Sequence, residues 1–95
     1  MIAEISGSKI QSEADFHEEI AKALKFPTYY GENLDALWDV LTHDVERPVV
    51  LVWKDASFSR TAMPDEFGRI VELLQAVVEE DLSFGYEERF EYVLQ

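Results

Sequence analysis

Apolar residues recur along this chain with two periods, and each period predicts an element. The run Ile2 to Ile5 is short, and Ser6-Gly7-Ser8 breaks it with turn residues, which predicts a first strand followed by a turn. Ser12 then stands three residues before Asp15 in the manner of a capping box. Phe16, Ile20, Ala23 and Leu24 fall on one face of a helix that runs to about Lys25 and is closed by Pro27. A loop with two adjacent tyrosines follows. Asn33 is placed to cap a second helix, whose apolar positions Leu34, Leu37, Trp38 and Leu41 end near His43. The next run, Val49 to Trp53, is apolar without interruption and rich in β-branched residues, as in a central strand of a parallel sheet buried on both faces. Residues 55–61 are polar apart from Phe58 and fit either a short helix or an irregular connection. Pro64, Asp65 and Glu66 suit a helix start, and Phe67, Ile70, Val71, Leu74, Val77 and Val78 carry that helix toward Gly85. Phe90 to Leu94 alternates, which predicts a final strand at a sheet edge.

The order β-α-α-β-α-β implies right-handed crossovers. The expected fold class is therefore α/β, a small three-stranded, mainly parallel sheet flanked by three or four helices. With 95 residues, 47% of them hydrophobic, the chain can bury one core, and a single domain over residues 1–95 is expected. No cysteine is present, so disulfides, thiolate metal sites and cysteine nucleophiles are excluded. No apolar run approaches the roughly 20 residues that span a bilayer, and residues 1–4 lack the basic start of a signal peptide. A soluble, cytoplasmic protein with no membrane contact is expected.

Charge alters this picture more than composition does. Twenty acidic residues against eight basic ones give a net charge of -12, which disfavours direct nucleic-acid binding and points to a basic partner. The plain alternative is that acidity serves solubility. Its distribution argues for more, because residues 26–46 hold Glu32, Asp35, Asp39, Asp44 and Glu46 and no Lys or Arg. Asp35 and Asp39, four apart on the second helix, share one side and repel by about 0.2–0.5 kcal/mol. A helix N-terminus favours Asp35, but Asp39 has no such compensation. Tyr29, Tyr30 and Trp38 lie beside these acids, and such residues are enriched at protein interfaces; Trp38 equally suits the core beside Leu34 and Leu41. His17 reads as structural, and His43 suits a helix C-terminus. The Asp35/Asp39 pair also admits a general acid/base or Mg²⁺ reading. No third ligand, phosphate loop or nucleophile elbow accompanies it, so neither an enzyme nor a cofactor or metal is expected.

The run Pro27-Thr28-Tyr29-Tyr30-Gly31-Glu32-Asn33-Leu34-Asp35-Ala36-Leu37-Trp38-Asp39 resembles the signature of the barstar family, intracellular inhibitors of barnase-type ribonucleases. The resemblance continues through Leu41-Thr42, Val45-Glu46, Pro48 and Val50-Leu51 to Trp53, and Gly7, Ile10, Ser12, Asp15 and His17 fit it upstream. It implies that the loop and second helix plug the enzyme's RNA-binding groove. Asp39 is then expected in place of a substrate phosphate against catalytic Arg and His side chains, with Asp35 pairing other basic groups. Tyr29 would stack on the catalytic His; Tyr30, Gly31 and Asn33 would supply shape and hydrogen bonds, and Trp38 would lie at the rim. Thr42, His43, Asp44 and Glu46 complete the expected surface, on a chain that is monomeric when free. This sequence departs from the family at His43-Asp44, where Gly-Trp is familiar. That departure keeps open a second reading, an immunity or regulatory module of the same fold against another nuclease toxin. Ala76 falls where the family carries an acid on the last helix, with Glu72, Glu79 and Glu80 nearby. Val40 and Leu82 replace two core cysteines.

Overall fold

The protein, described by a computed structural model over all 95 residues, is built on a three-stranded sheet. β1 (Ile2–Ser6), β2 (Val49–Lys54) and β3 (Phe90–Leu94) stand in the order β1-β2-β3, with β2 central and both pairings parallel. Four helices join them: α1 (Glu13–Leu24) and α2 (Leu34–His43) between β1 and β2, then α3 (Ala56–Ala62) and α4 (Pro64–Ser83) between β2 and β3. The polar stretch after β2 thus resolves as a short helix.

The register places Ala3, Leu51 and Tyr92 in one row, and Ile5, Trp53 and Leu94 in another, all on one face of the sheet. This face meets the helices, and its central row of Val49, Leu51 and Trp53 is buried. The opposite face is open. Ile2 is 71% and Val93 42% exposed, and Val50 and Val52 are only half-buried. The expectation that β2 is buried on both faces is therefore corrected. With strands in the order 1-2-3, both crossovers step the same way. Two right-handed crossovers with the same step put every helix on one face.

Local chemistry fixes the element ends. Ser12 accepts a hydrogen bond from Asp15 N–H at 3.1 Å, and Asp15 accepts one from Gln11 N–H at 3.0 Å, so the first helix starts as its spacing predicts. It stops before Pro27. Lys25 adopts the left-handed conformation (φ 54°), and Phe26 N–H reaches back to Ala21 O at 2.9 Å, closing the helix at Leu24. Gly7 is required by a close approach, since a Cβ there would meet the Asp55 carbonyl oxygen at 2.0 Å. The core gathers apolar residues from every layer, including Phe16, Ile20, Leu37, Leu41, Trp53, Ile70 and Leu74, all nearly inaccessible to solvent. Val40 belongs to this core. Leu82 is 53% exposed at the end of α4, so the exchange expected there is not a core one.

Candidate functional site

The acidic stretch is presented by one turn and one helix. The turn is closed by Tyr30 N–H donating to Pro27 O at 3.0 Å, and this turns Tyr29 outward, 79% exposed. Tyr30 points the other way. It is 9% exposed, its ring meets Phe26 edge-on at 4.8 Å, and its hydroxyl lies 2.6 Å from His17 Nδ1. The expectation that both tyrosines face a partner is corrected for Tyr30, because adjacent residues of a tight turn diverge and the apolar ring takes the core side. Burial, with Glu32 and Glu13 nearby, holds the Tyr30 hydroxyl protonated well above its ordinary range.

His17 is buried and spans this junction. Its Nε2 lies 3.0 Å from Glu13 Oε2. A carboxylate only accepts, so Nε2 donates to Glu13, while Nδ1 and the Tyr30 hydroxyl share the second hydrogen bond. The chain Glu13–His17–Tyr30 thus anchors the loop to α1 from below. Glu32, next in line, adopts a left-handed φ of 52° and leads the backbone into the α2 cap.

At that cap, Asn33 Oδ1 accepts from Ala36 N–H at 2.8 Å, while its Nδ2 donates to Gly31 O at 3.3 Å. Asn33 is thereby occupied in building the site. Steps of about 100° per residue then place Asp35, Asp39, Thr42 and His43 on one outward face of α2, with Leu37, Val40 and Leu41 opposite in the core. Trp38 stands at the edge, half-buried and packed on the core. Thr42 Oγ1 donates to Trp38 O at 2.7 Å. His43 Nδ1 lies 3.0 Å from Asp39 O, a geometry that assigns the hydrogen to Nδ1.

None of Glu32, Asp35, Asp39, Asp44 and Glu46 is within ion-pair reach of a cation in the chain, and none of their carboxylates accepts an intramolecular hydrogen bond. This is the central electrostatic fact of the site. Of the acids on α4, Glu72 and Glu79 point directly away from the core. Glu80 is half-buried on the flank of Leu73 and Ala76, opposite the flank of Gln75, Val78 and Leu82 that borders Tyr92 of β3. No three His, Asp or Glu side chains converge as a metal site.

One structural support escaped the sequence reading. Arg47 grips Asp81 with two hydrogen bonds, Nε to Oδ2 at 2.9 Å and Nη2 to Oδ1 at 3.1 Å, and also donates to Val45 O. Asp81 accepts a further bond from Phe90 N–H at 2.8 Å, tying the acidic segment after α2 to α4 and β3. Burial alone would raise the Asp81 pKa; the Arg47 and Phe90 bonds and the guanidinium charges of Arg47 and Arg89 outweigh it and hold it below its ordinary value. A signal was present, since Asp81 continues the buried series Ile70, Leu74 and Val77.

The family model described as Barstar (barnase inhibitor) matches residues 1–95. The chain belongs to the barstar family. Among curated proteins, it is 40% identical over 76 residues to the protein named "Putative ribonuclease inhibitor YrdF" of Bacillus subtilis (strain 168), covering 80% of this chain and 84% of that one. The observed three-stranded parallel sheet with four helices is the barstar-like α/β architecture expected from the sequence. Membership points to a ribonuclease-binding, non-catalytic inhibitor role for the chain. No helix is long and apolar enough to cross a membrane.

Proposed function

We propose that this barstar-family chain inhibits a barnase-type ribonuclease by laying the surface from Tyr29 to Glu46 into the enzyme's RNA-binding active site. The observation that carries the reading is the set of outward carboxylates without an internal partner. A ribonuclease gathers cations to hold phosphate, so carboxylates fixed on a capped helix match that site without ordering themselves on contact. Asp39, at mid-helix and flanked by Asp35, takes the phosphate position. Tyr29 offers an exposed ring for stacking on a catalytic imidazole, while Gly31, Asn33, Thr42 and the buried Tyr30 fix the shape beneath it. Trp38 and His43 border the contact, and Asp44 and Glu46 extend its negative field. The chain works as a cytoplasmic monomer, with no cofactor and no direct contact with nucleic acid.

The test is titration of a purified barnase-type ribonuclease with the wild-type protein and with Asp39→Ala at two salt concentrations. Tight inhibition that weakens with salt and is lost in the variant is expected. A member of this family is itself the standard illustration of an acidic hot spot, so the direction of the loss is inferred from this chain, and its size, about 2 kcal/mol or more, is that of hot spots in general. Absence of any effect of the wild type on ribonuclease activity would sink the proposal. The substitution of His43-Asp44 at the rim favours, as a second reading, a nuclease toxin of another type, and the same titration against such an enzyme distinguishes the two.

A further inference from the structure

The two histidines of the chain are used unequally. His17 is buried with both ring nitrogens engaged, Nδ1 with Tyr30 and Nε2 with Glu13. His43 is exposed in the last turn of α2 and engages only one. Its Nδ1 lies 3.0 Å from the Asp39 carbonyl oxygen and 3.0 Å from Thr42 Oγ1. A carbonyl only accepts, so Nδ1 carries a hydrogen. Thr42 Oγ1 donates its own hydrogen to Trp38 O at 2.7 Å and so faces His43 as a second acceptor. Nε2 has no hydrogen-bond partner within the chain.

In a neutral imidazole one nitrogen donates and the other accepts. With Nδ1 committed as the donor, Nε2 is left as a bare acceptor at the surface. Its place puts it in reach of a partner. His43 stands four residues after Asp39 on the outward face of α2, with about 5–6 Å between their Cβ atoms. A stable interface covers roughly 800 Å² on each partner, so an enzyme that brings its cations to Asp39 also covers His43.

The ring is also held before any partner arrives, because Nδ1 is shared between two acceptors on its own helix. A side chain already fixed loses little entropy on binding. We infer that His43 is a specificity-determining residue of the inhibitory surface, whose neutral Nε2 accepts a hydrogen bond from an N–H or O–H of the ribonuclease beside the cation that meets Asp39. An enzyme that places a carbonyl or carboxylate there is rejected, because two acceptors cannot pair and both are left desolvated. The inference rests on the proposed inhibitory function and names, for one position of that surface, the chemistry that the enzyme must present.

Two exchanges in the intact chain separate the two nitrogens, with binding to a barnase-type ribonuclease measured at pH 8, where an imidazole is ordinarily neutral. Asn sets an amide N–H at the place of Nδ1 and nothing at that of Nε2. Gln reaches the place of Nε2 with its carbonyl oxygen and leaves that of Nδ1 empty. His43→Asn is expected to dissociate about tenfold faster than wild type, equivalent to about 1.4 kcal/mol, and His43→Gln to stay within about threefold of it. Equal affinity of His43→Asn and wild type overturns the role of His43 while leaving inhibition intact. A loss in His43→Gln as large as in His43→Asn overturns the acceptor assignment. Nitrogen NMR of the wild-type ring gives an independent readout. Nε2 bare in the free protein and shifted upfield on adding the ribonuclease supports the bond; Nε2 protonated when free, or unmoved in the complex, overturns it. Wild-type protein that binds no ribonuclease removes the parent reading and this one together.

Discussion

Helices α1 and α2 begin alike and are used differently. Each is capped by a side chain, Ser12 or Asn33, each is amphipathic, and each carries acids, four on α1 and two on α2. On α1 the acids find partners within the chain: Glu13 meets His17, Asp15 bonds Gln11 N–H, and Glu18 and Glu19 share Lys22. On α2 and its flanks the acids find none. The difference is one of spacing and orientation: α1 places a His or Lys three or four residues after Glu13, Glu18 and Glu19, whereas α2 places Asp39 four after Asp35, and His43, four after Asp39, turns its Nδ1 to the Asp39 backbone carbonyl rather than to its carboxylate. Acids on the first helix serve the fold, and those on the second have no partner within the chain, which is what the proposed inhibitory contact would use.

The widest break in that contrast is expected from Asp39→Ala. It lowers ribonuclease affinity by at least about thirtyfold, the roughly 2 kcal/mol that marks a hot spot. Its melting temperature stays level or rises, because the Asp35 repulsion of about 0.2–0.5 kcal/mol is relieved. A variant that lost both binding and stability would erase the distinction between the two helices.

Asp81→Ala tests the opposite case, an acid wholly committed to the fold. It leaves the half-buried guanidinium of Arg47 and the Phe90 N–H without a partner, and a loss of about 3–5 kcal/mol in urea unfolding is expected. The pH dependence has a definite sign. Because the folded-state pKa lies below the unfolded value of 3.8, Asp81 contributes stability above that value and loses it as pH falls toward the folded one. Urea midpoints of the variant should therefore fall less steeply with acid than those of wild type.

A smaller effect is expected from His17→Phe, which strands the Tyr30 hydroxyl and the Glu13 carboxylate. About 1–3 kcal/mol of stability is lost, with faster hydrogen exchange across residues 27–33. Exchange unchanged in that loop would show that α1 does not support the site. The smallest effect belongs to Lys22→Gln. Its ammonium stands in solvent, where ion pairs are screened, and thermal melts of variant and wild type should nearly coincide.

Much of the candidate site was legible because it is local. Asn33 caps α2 through a bond three residues long, and the outward grouping of Asp35, Asp39, Thr42 and His43 follows from helical pitch alone. The tyrosines were only half legible. A turn dictates that Tyr29 and Tyr30 diverge, but which one enters the core depends on His17 and Phe26 waiting across the loop. The Arg47–Asp81 grip was hidden by a separation of 34 residues.

The sequence by itself determined the three strands, the helices α1, α2 and α4, the caps of α1 and α2 and the concentration of acid along α2, since each depends on groups within a few residues of one another. Only the tertiary structure decided that all four helices cover one face of the sheet, that Tyr30 turns inward, and that Asp81 secures the segment after α2. Those outcomes depend on strand order, crossover hand and the meeting of distant side chains, and local chemistry permits more than one solution to each.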